Sequence, residues 1–163
     1  LAEHGAHIVI NYSRSKPEAE ATATQCETLG AETLICKGDV SKDEDCRNIA
    51  AQTKEKWGRI DGLMNNAGTT QLVADNDLES LSADDFLRIY SVNVVGAYQM
   101  ARAVAPQMKD QGRGSIVNTS SIAGVMGIGS SNAYAASKGA MNTMRSEERS
   151  VGKECRSRWS PAH

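Results

Sequence analysis

Short, uninterrupted apolar runs alternate along this chain with longer segments in which apolar residues keep a helical period. AHIVIN (6–11) is a short apolar run with β-branched Ile8, Val9 and Ile10, the pattern of a strand covered on both faces. Ahead of it, LAEHGA reads as the last turn of a helix, with Gly5 where a left-handed residue would stop it. Pro17 suits the first turn of a helix through PEAEATATQCETLG, and Gly30 ends it. TLICKGDV (33–40) predicts the next strand. Ser41 with Glu44 has the spacing of a capping box, and the helix it opens is expected to run to about Lys56, before Trp57 and Gly58. IDGLMNNAG (60–68) predicts a third strand running into a turn. After the loop TTQLVADNDLES, Ser82 with Asp85 can cap a long helix whose apolar positions are Phe86, Ile89, Tyr90, Ala97, Met100, Ala101, Val104 and Met108. GRGSIVNTSS (112–121) predicts a fourth strand, and the glycine-rich loop IAGVMGIGSS leads to a helix carrying Tyr134.

Strands alternating with helices of this length argue for βαβ units, and so for an α/β fold with a parallel sheet and helices on both faces. Ligands of such sheets gather beyond the carboxyl ends of the strands. Asp39, Asn65, Asn66, Gly68, Thr119, Ser120 and Ser121 all fall there.

Composition narrows the class without naming a chemistry. The 163 residues are the size of one domain, and 40% hydrophobic with 23% charged residues suits a globular chain. A net charge of −2 supplies no basic stripe for nucleic acid. No apolar run approaches the roughly 18 residues of a membrane span, so no membrane partner is expected and the cytoplasm is the expected compartment. Cys26, Cys36, Cys46 and Cys155 form no C-x-x-C and lie near no histidine at metal-ligand spacing, so they read as structural thiols with no metal.

Both ends look unlike those of an intact protein. The first residue is Leu1 and not Met, so a preceding segment is expected. From Arg145 to His163 the chain carries three glutamates and five arginines or lysines in nineteen residues, where an apolar helical face would otherwise continue. Residues 1–144 are therefore read as a partial domain and 145–163 as a non-native tail derived from cloning or assembly.

Candidate chemistry centres on NAYAASK. Tyr134 and Lys138 lie four apart, rise about 6 Å along a helix and share one face. Such a pair alone is common on helix surfaces. A neighbouring ammonium nevertheless favours phenolate, and can bring a phenol of pKa about 10 down by roughly 1 to 3, poising it as an acid and base. Ser121 ends a strand thirteen residues earlier, where its hydroxyl could face the same cleft. Asn93 sits on the apolar stripe of its helix, so it must find hydrogen-bond partners, as a structural tie or as a holder of water. NNAG after a strand is by itself a tight turn with glycine at positive φ.

Four motifs in order change that picture. N-N-A-G at 65–68, the asparagine of VNVVG at 93, the serine of IVNTSS at 121 and Y-x-x-x-K at 134–138 resemble the classical branch of the short-chain dehydrogenase/reductase superfamily. The intervals of 28 residues from Asn93 to Ser121 and 13 from Ser121 to Tyr134 fit it too. The likeness covers residues 1 to about 144.

The resemblance implies a Rossmann-like doubly wound parallel sheet in three layers. Here it is incomplete: the family's first strand, with its glycine-rich T-G-x-x-x-G-x-G turn, and its C-terminal strands are not in the sequence. That first strand would lie between the strands at 6–11 and 60–68. The implied reaction is hydride transfer between NAD(P)(H) and a ketone or secondary alcohol. Tyr134 would give the proton to the carbonyl oxygen, Ser121 would hydrogen-bond that oxygen, and Lys138 would bind the nicotinamide ribose and depress the tyrosine pKa. Asn93 would hold a relay water.

Asp39 and Val40 match the acidic-then-apolar pair at the adenine; Asn65, Ala67 and Gly68 match the turn along the cofactor, with Thr119 beside it. After the first strand in this sequence, NYSRSK has no carboxylate before Glu18 and offers Asn11, Ser13, Arg14 and Lys16, which points to NADP(H) over NAD(H), with Arg14 on the phosphate. VINYSRS, GDVS, GRIDGLMNNAG and GSIVNTSSIAGVMG look closest to 3-oxoacyl-acyl-carrier-protein reductases, hence a possible place in fatty acid biosynthesis. Sugar, polyol and steroid dehydrogenases share these segments. Met126 and Ile128 are expected on one pocket wall. A homotetramer or homodimer is implied for the parent, and the 163-residue chain alone is expected to fold poorly and be inactive. The rival reading is a non-catalytic nucleotide-binding scaffold, which would have no need of the acid.

Overall fold

A computed structural model describes residues 1–74 and 77–144. It contains four strands: β1 (Ile8–Tyr12), β2 (Thr33–Lys37), β3 (Gly62–Asn65) and β4 (Ser115–Asn118). They pair two by two and in parallel, β1 with β2 from Ile8–Thr33 to Tyr12–Lys37, and β3 with β4 from Gly62–Ser115 to Asn65–Asn118. Among the described residues no ladder joins the two pairs.

Parallel neighbours need crossover connections, and helices supply them. The helix α1 (Lys16–Thr28) joins β1 to β2, and α2 (Asp43–Trp57) joins β2 to β3. Between β3 and β4 run α3 (Ala83–Tyr90), a π-helical segment (Ser91–Gly96) and α4 (Ala97–Asp110). The short α5 (Ala123–Met126) and then α6 (Asn132–Met144) follow β4. The alternating α/β order expected from the sequence is thus borne out.

The helices α2 and α4 bridge the two strand pairs. Cys36, Val40, Cys46, Ile49 and Met100 form one buried cluster against Val9, Leu34 and Leu63. Ala50, Ile60, Val104 and Met108 form a second against Leu63 and Ile116. Leu63 belongs to both, so the two clusters make one core. Side chains alternate along a strand, so Met64 and Val117, partners in register, face the other way and are largely exposed.

Most predicted caps form. Pro17 lies in the first turn of α1, and Gly30 beyond its end has φ 86°. Ser82 accepts from the Asp85 N–H at 3.2 Å while the Asp85 carboxylate accepts from the Ser82 N–H at 3.1 Å. The expected Ser41–Glu44 box does not. The Ser41 N–H and hydroxyl both donate to the Asp39 carboxylate, at 3.0 and 2.7 Å, so α2 starts later, at Asp43. A side chain two residues upstream has captured the cap by a local turn. The strands are shorter than predicted because their apolar runs continue into turns, and the long helix is interrupted by the π segment. Asp75, Asn76 and the tail division at 145–163 lie outside the described residues. Among those described, no helix is long and apolar enough to cross a membrane.

Candidate active site

The carboxyl ends of β3 and β4 are tied by Asn65. Its Nδ2 donates to Asn118 Oδ1 at 2.9 Å and to the Ala97 carbonyl at 3.1 Å, and its own carbonyl accepts from the Thr119 N–H at 3.0 Å. Asn65 is buried, and a buried amide earns its place only through such partners. The chain then turns through Gly68. A Cβ there would lie 3.4 Å from Asn93 Oδ1 and 3.8 Å from Lys138 Nζ, so this turn passes close over both side chains.

Asn93 lies in the π segment and is fully buried. It accepts from the Thr69 N–H at 2.8 Å and donates to the Thr69 carbonyl and to Ser137 Oγ, each at 3.0 Å. Of the two readings left open by the sequence, the structure displays the tie. Widened π turns recur at functional sites, and this one also brings Gly96 onto Val40, where a Cβ would come within 2.7 Å of Val40 Cγ2.

On α6, Lys138 is buried, and its Nζ donates to the Thr119 carbonyl at 2.7 Å while lying 5.7 Å from the centre of the Tyr134 ring. Burial pulls the pKa of this ammonium below its ordinary value. Tyr134 is half-buried, and its hydroxyl makes no hydrogen bond to another described residue. Ser121 is half-buried too, and its Oγ accepts from the Ala123 N–H at 3.2 Å at the start of α5. Its loop is held on α6 by Ser120 Oγ, which donates to the Lys138 carbonyl at 3.2 Å, and by Gly124, packed against the Lys138 and Gly139 backbone. Asn93, Lys138, Tyr134, Gly68 and Thr119 therefore form one contiguous group. Ser121 joins it through the backbone of its loop, with no side-chain hydrogen bond to Tyr134 or Lys138.

The remaining sequence-predicted residues lie at the ends of β1 and β2. The Asp39 carboxyl is held below its ordinary value chiefly by the Ser41 hydroxyl, with Arg14 a lesser contributor. Arg14 and Ser13 are exposed directly after β1, and no hydrogen bond or ion pair among the described residues ties the Arg14 guanidinium. Asn11 is exposed, with Oδ1 3.3 Å from where a Gly38 Cβ would sit. Val40, Asn65 and Ala67 share one small cleft with Val92, Gly96 and Ala97. The acidic turn at Asp39 adjoins this cleft through Val40, and the Arg14 charge acts on the Asp39 carboxyl.

Ser137, Gln99 and Gly124 were not singled out from the sequence. Ser137 is fully buried, and Gln99 donates to the Val40 carbonyl at 2.8 Å. A polar residue three after Tyr134 among alanines, or on the apolar stripe of α4, was the available signal. The loop 122–133 lines a cleft, through Gly127, Gly129, Ser130, Ser131 and Asn132 facing Asp77 and Leu81, whereas Met126 and Ile128 are 59% and 56% exposed and lie outside that lining. Gly127 and Gly129, on either side of Ile128, have φ 69° and 82°.

The family model described as short chain dehydrogenase matches residues 1–154. The 3-oxoacyl-acyl-carrier-protein reductase FabG of Staphylococcus epidermidis is 32% identical over 138 residues, covering 85% of this chain and 55% of that one. L-rhamnose 1-dehydrogenase (NAD(P)(+)) of Sphingomonas sp. is 35% identical over 154 residues, covering 93% of this chain and 59% of that one. The crystal structure of NAD+-bound xylitol dehydrogenase matches with a TM-score of 0.82 at 33% identity, over 93% of this chain and 58% of that one. The chain thus spans a little over half the length of these relatives. With its alternating parallel fold, its clustered Asn93, Tyr134 and Lys138, and a family match over nearly its whole length, the chain belongs to the short-chain dehydrogenase/reductase family.

Proposed function

We propose that the whole protein transfers a hydride between NADP(H) and a ketone or secondary alcohol, with a 3-oxoacyl thioester as the substrate class. One observation carries the reading: a buried Lys138 lies beside the ring of a Tyr134 whose hydroxyl has no partner among the described residues, at the carboxyl ends of two parallel strands. A binding scaffold has no use for a lysine desolvated at this point, whereas an acid catalyst does.

The nucleotide supplies the hydride when bound. Tyr134 then protonates the carbonyl oxygen, and Ser121 hydrogen-bonds that oxygen. The positive charge of Lys138 favours the phenolate that Tyr134 becomes, so the proton leaves at lower cost. Asn93 clamps the turn at Thr69 and through it holds the floor beneath Gly68. Asp39, Val40, Asn65, Ala67, Gly68 and Thr119 would line the adenosine and ribose path, with Asn11, Ser13 and Arg14 at the 2′-phosphate. Arg14 suits that role because it is exposed and its guanidinium has no hydrogen-bond partner among the described residues, and a fork of donors matches phosphate oxygens.

A second reading has its own support. One side of the cleft carries Ser130, Ser131 and Asn132 with Asp77 across from them beside Val73, Ala74 and Leu81, while Met126 and Ile128 are exposed and outside its lining. Such a wall suits a polyhydroxylated substrate, as in the sugar and polyol dehydrogenases among the relatives. Turnover of a 3-oxoacyl thioester against a panel of aldoses and polyols, with each cofactor, separates the two: preference by kcat/KM for the sugars would overturn the acyl assignment.

Assembly as a homodimer or homotetramer is part of the same proposal, supported by the exposed Leu87, Val95 and Tyr98 along α3, the π segment and α4. The buried thiols Cys36 and Cys46 suit a reducing cytoplasm. So is the domain limit at residue 144, although the family match runs ten residues beyond it, to 154.

A further inference from the structure

The hydroxyl of Ser137 lies between the groups assigned above and has no part yet in the reaction. It is fully buried. It donates to the Tyr134 carbonyl at 2.7 Å and accepts from Asn93 Nδ2 at 3.0 Å. Asn93 also pairs with both backbone groups of Thr69. One hydroxyl thus joins the first turn of α6, the π segment and the turn that follows Gly68. The Thr69 pair fixes which way the Asn93 amide faces; among the described residues only Ser137 ties that amide to α6.

Local structure does not explain a serine here. A serine that bonds back to the carbonyl three residues earlier gains little in a helix, and alanine is the better helix former. Ala133, Ala135, Ala136 and Ala140 surround it on α6. What alanine could not do is accept from Asn93, and a buried amide proton without an acceptor is costly. Among the described residues this is the one side-chain hydrogen bond between α6 and the π segment. The titratable groups at the junction are Tyr134 and Lys138, both on α6. The π segment and the turn contribute neutral Asn93 and Thr69, with Arg88 reaching Thr69 Oγ1 at 3.4 Å.

We propose that Ser137 is a positioning residue for the reaction: by spanning Asn93 and the Tyr134 carbonyl, its hydroxyl sets the separation between the π segment and the face of α6 that presents Tyr134 and Lys138. It touches no substrate and acts through its two partners. The inference rests on the reading of Tyr134 as the acid and Lys138 as its electrostatic partner. When the tie is lost, α6 can withdraw from the segment beneath it and water can reach the lysine. A lysine charge screened by that water would favour the phenolate less.

The test uses the whole protein with Ser137→Ala and Ser137→Thr. Alcohol oxidation is followed across neutral and alkaline pH, with nucleotide Kd and thermal midpoint measured alongside. Ser137→Ala is expected to keep Kd within about twofold, to lose about tenfold in kcat, and to move the acidic limb of the kcat profile to higher pH. Threonine can make the same bond to the carbonyl three residues back, so Ser137→Thr restores both kcat and the limb.

A destabilised Ser137→Ala enzyme with unchanged kcat and limb would reduce the residue to core filling and overturn the proposal, as would equal losses in the alanine and threonine variants. Should Ser137→Ala not fold, Ser137→Cys puts a weaker hydrogen-bonding group in nearly the same volume: a raised limb supports the proposal and an unchanged one overturns it. Absence of hydride transfer by the unsubstituted protein would remove the reading of Tyr134 itself, whereas a failure confined to these variants falls on Ser137 alone.

Discussion

Gly124→Ala adds one methyl group at the seam between the Ser121 loop and α6. The new Cβ would sit 2.5 Å from the Lys138 carbonyl carbon, 2.7 Å from the Gly139 nitrogen and 2.8 Å from the Lys138 oxygen. All three are backbone atoms, so no side chain can swing aside. Ordinary contact begins near 3.4 Å, and the two segments must therefore part by about 0.9 Å, the difference between 3.4 and 2.5 Å. The loop carries Ser121, and α6 carries Tyr134 and Lys138. A misplacement of about 1 Å in such a constellation costs on the order of 10²-fold in rate, equivalent to about 2.7 kcal/mol of barrier. Overpacking would lower stability by about 1 to 3 kcal/mol as well.

The assay is kcat for ketone reduction by the whole protein, with nucleotide Kd as the check that the adenosine side is undisturbed. Gly58→Ala serves as the control. Its φ of 70° makes any side chain strained, but no atom lies within 4 Å of the added Cβ, so it should lose stability and keep kcat. A Gly124→Ala enzyme within threefold of the unsubstituted kcat would refute the claim that this seam places Ser121.

Three further outcomes follow from other parts of the structure. Arg14→Ala should raise KM for NADPH by about tenfold or more while leaving NADH nearly unchanged; an unaltered ratio between the cofactors would sink the NADP(H) assignment. Cys36 and Cys46 are 1% and 0% exposed, and burial pushes the Cys46 thiol up to about 11, so native protein should alkylate at half-buried Cys26 well before either; peptide mass spectrometry reads the order. The Asp43 carboxyl is held below its ordinary 3.8, first by Arg102 and then by Arg47. A folded value below the unfolded one stabilises above pH 3.8, and that gain is lost as pH falls through the lowered value. Asp43→Asn should therefore be less stable than the parent at neutral pH and converge with it in acid, as urea midpoints would show.

Period and punctuation were enough to foresee the alternating elements, because each strand is an apolar run and α1, α2 and α3 start or stop at Pro17, Gly30, Gly58 or the Ser82–Asp85 box. The Ser41–Glu44 box was misread for a local reason: Asp39 lies two residues upstream and takes both Ser41 donors. The π segment was invisible, since one extra residue in a turn leaves the apolar spacing of a long helix almost unchanged.

The same split runs through the site. Tyr134 and Lys138 were legible because helical spacing alone brings them to one face, and Asn93 because an asparagine on an apolar stripe demands partners. Ser137 and Gly124 matter through tertiary approach, a 3.0 Å bond to another element and a backbone too close for a methyl group, and neither leaves a periodic trace. The loop 122–133 was legible as a cleft wall from its place after β4, but not that its glycines and Ser130–Asn132, rather than Met126 and Ile128, would line it.

The central claim is that Tyr134 is the proton donor of a hydride-transfer site electrostatically primed by Lys138. Tyr134→Phe removes one oxygen atom, and that hydroxyl bonds to no described residue, so the fold should not register the change. Whole protein carrying it should bind NADPH with an unchanged Kd and lose about 10² to 10⁴-fold in kcat for ketone reduction, the range for a placed general acid. Retention of near-normal turnover with intact cofactor binding would contradict the account at its centre.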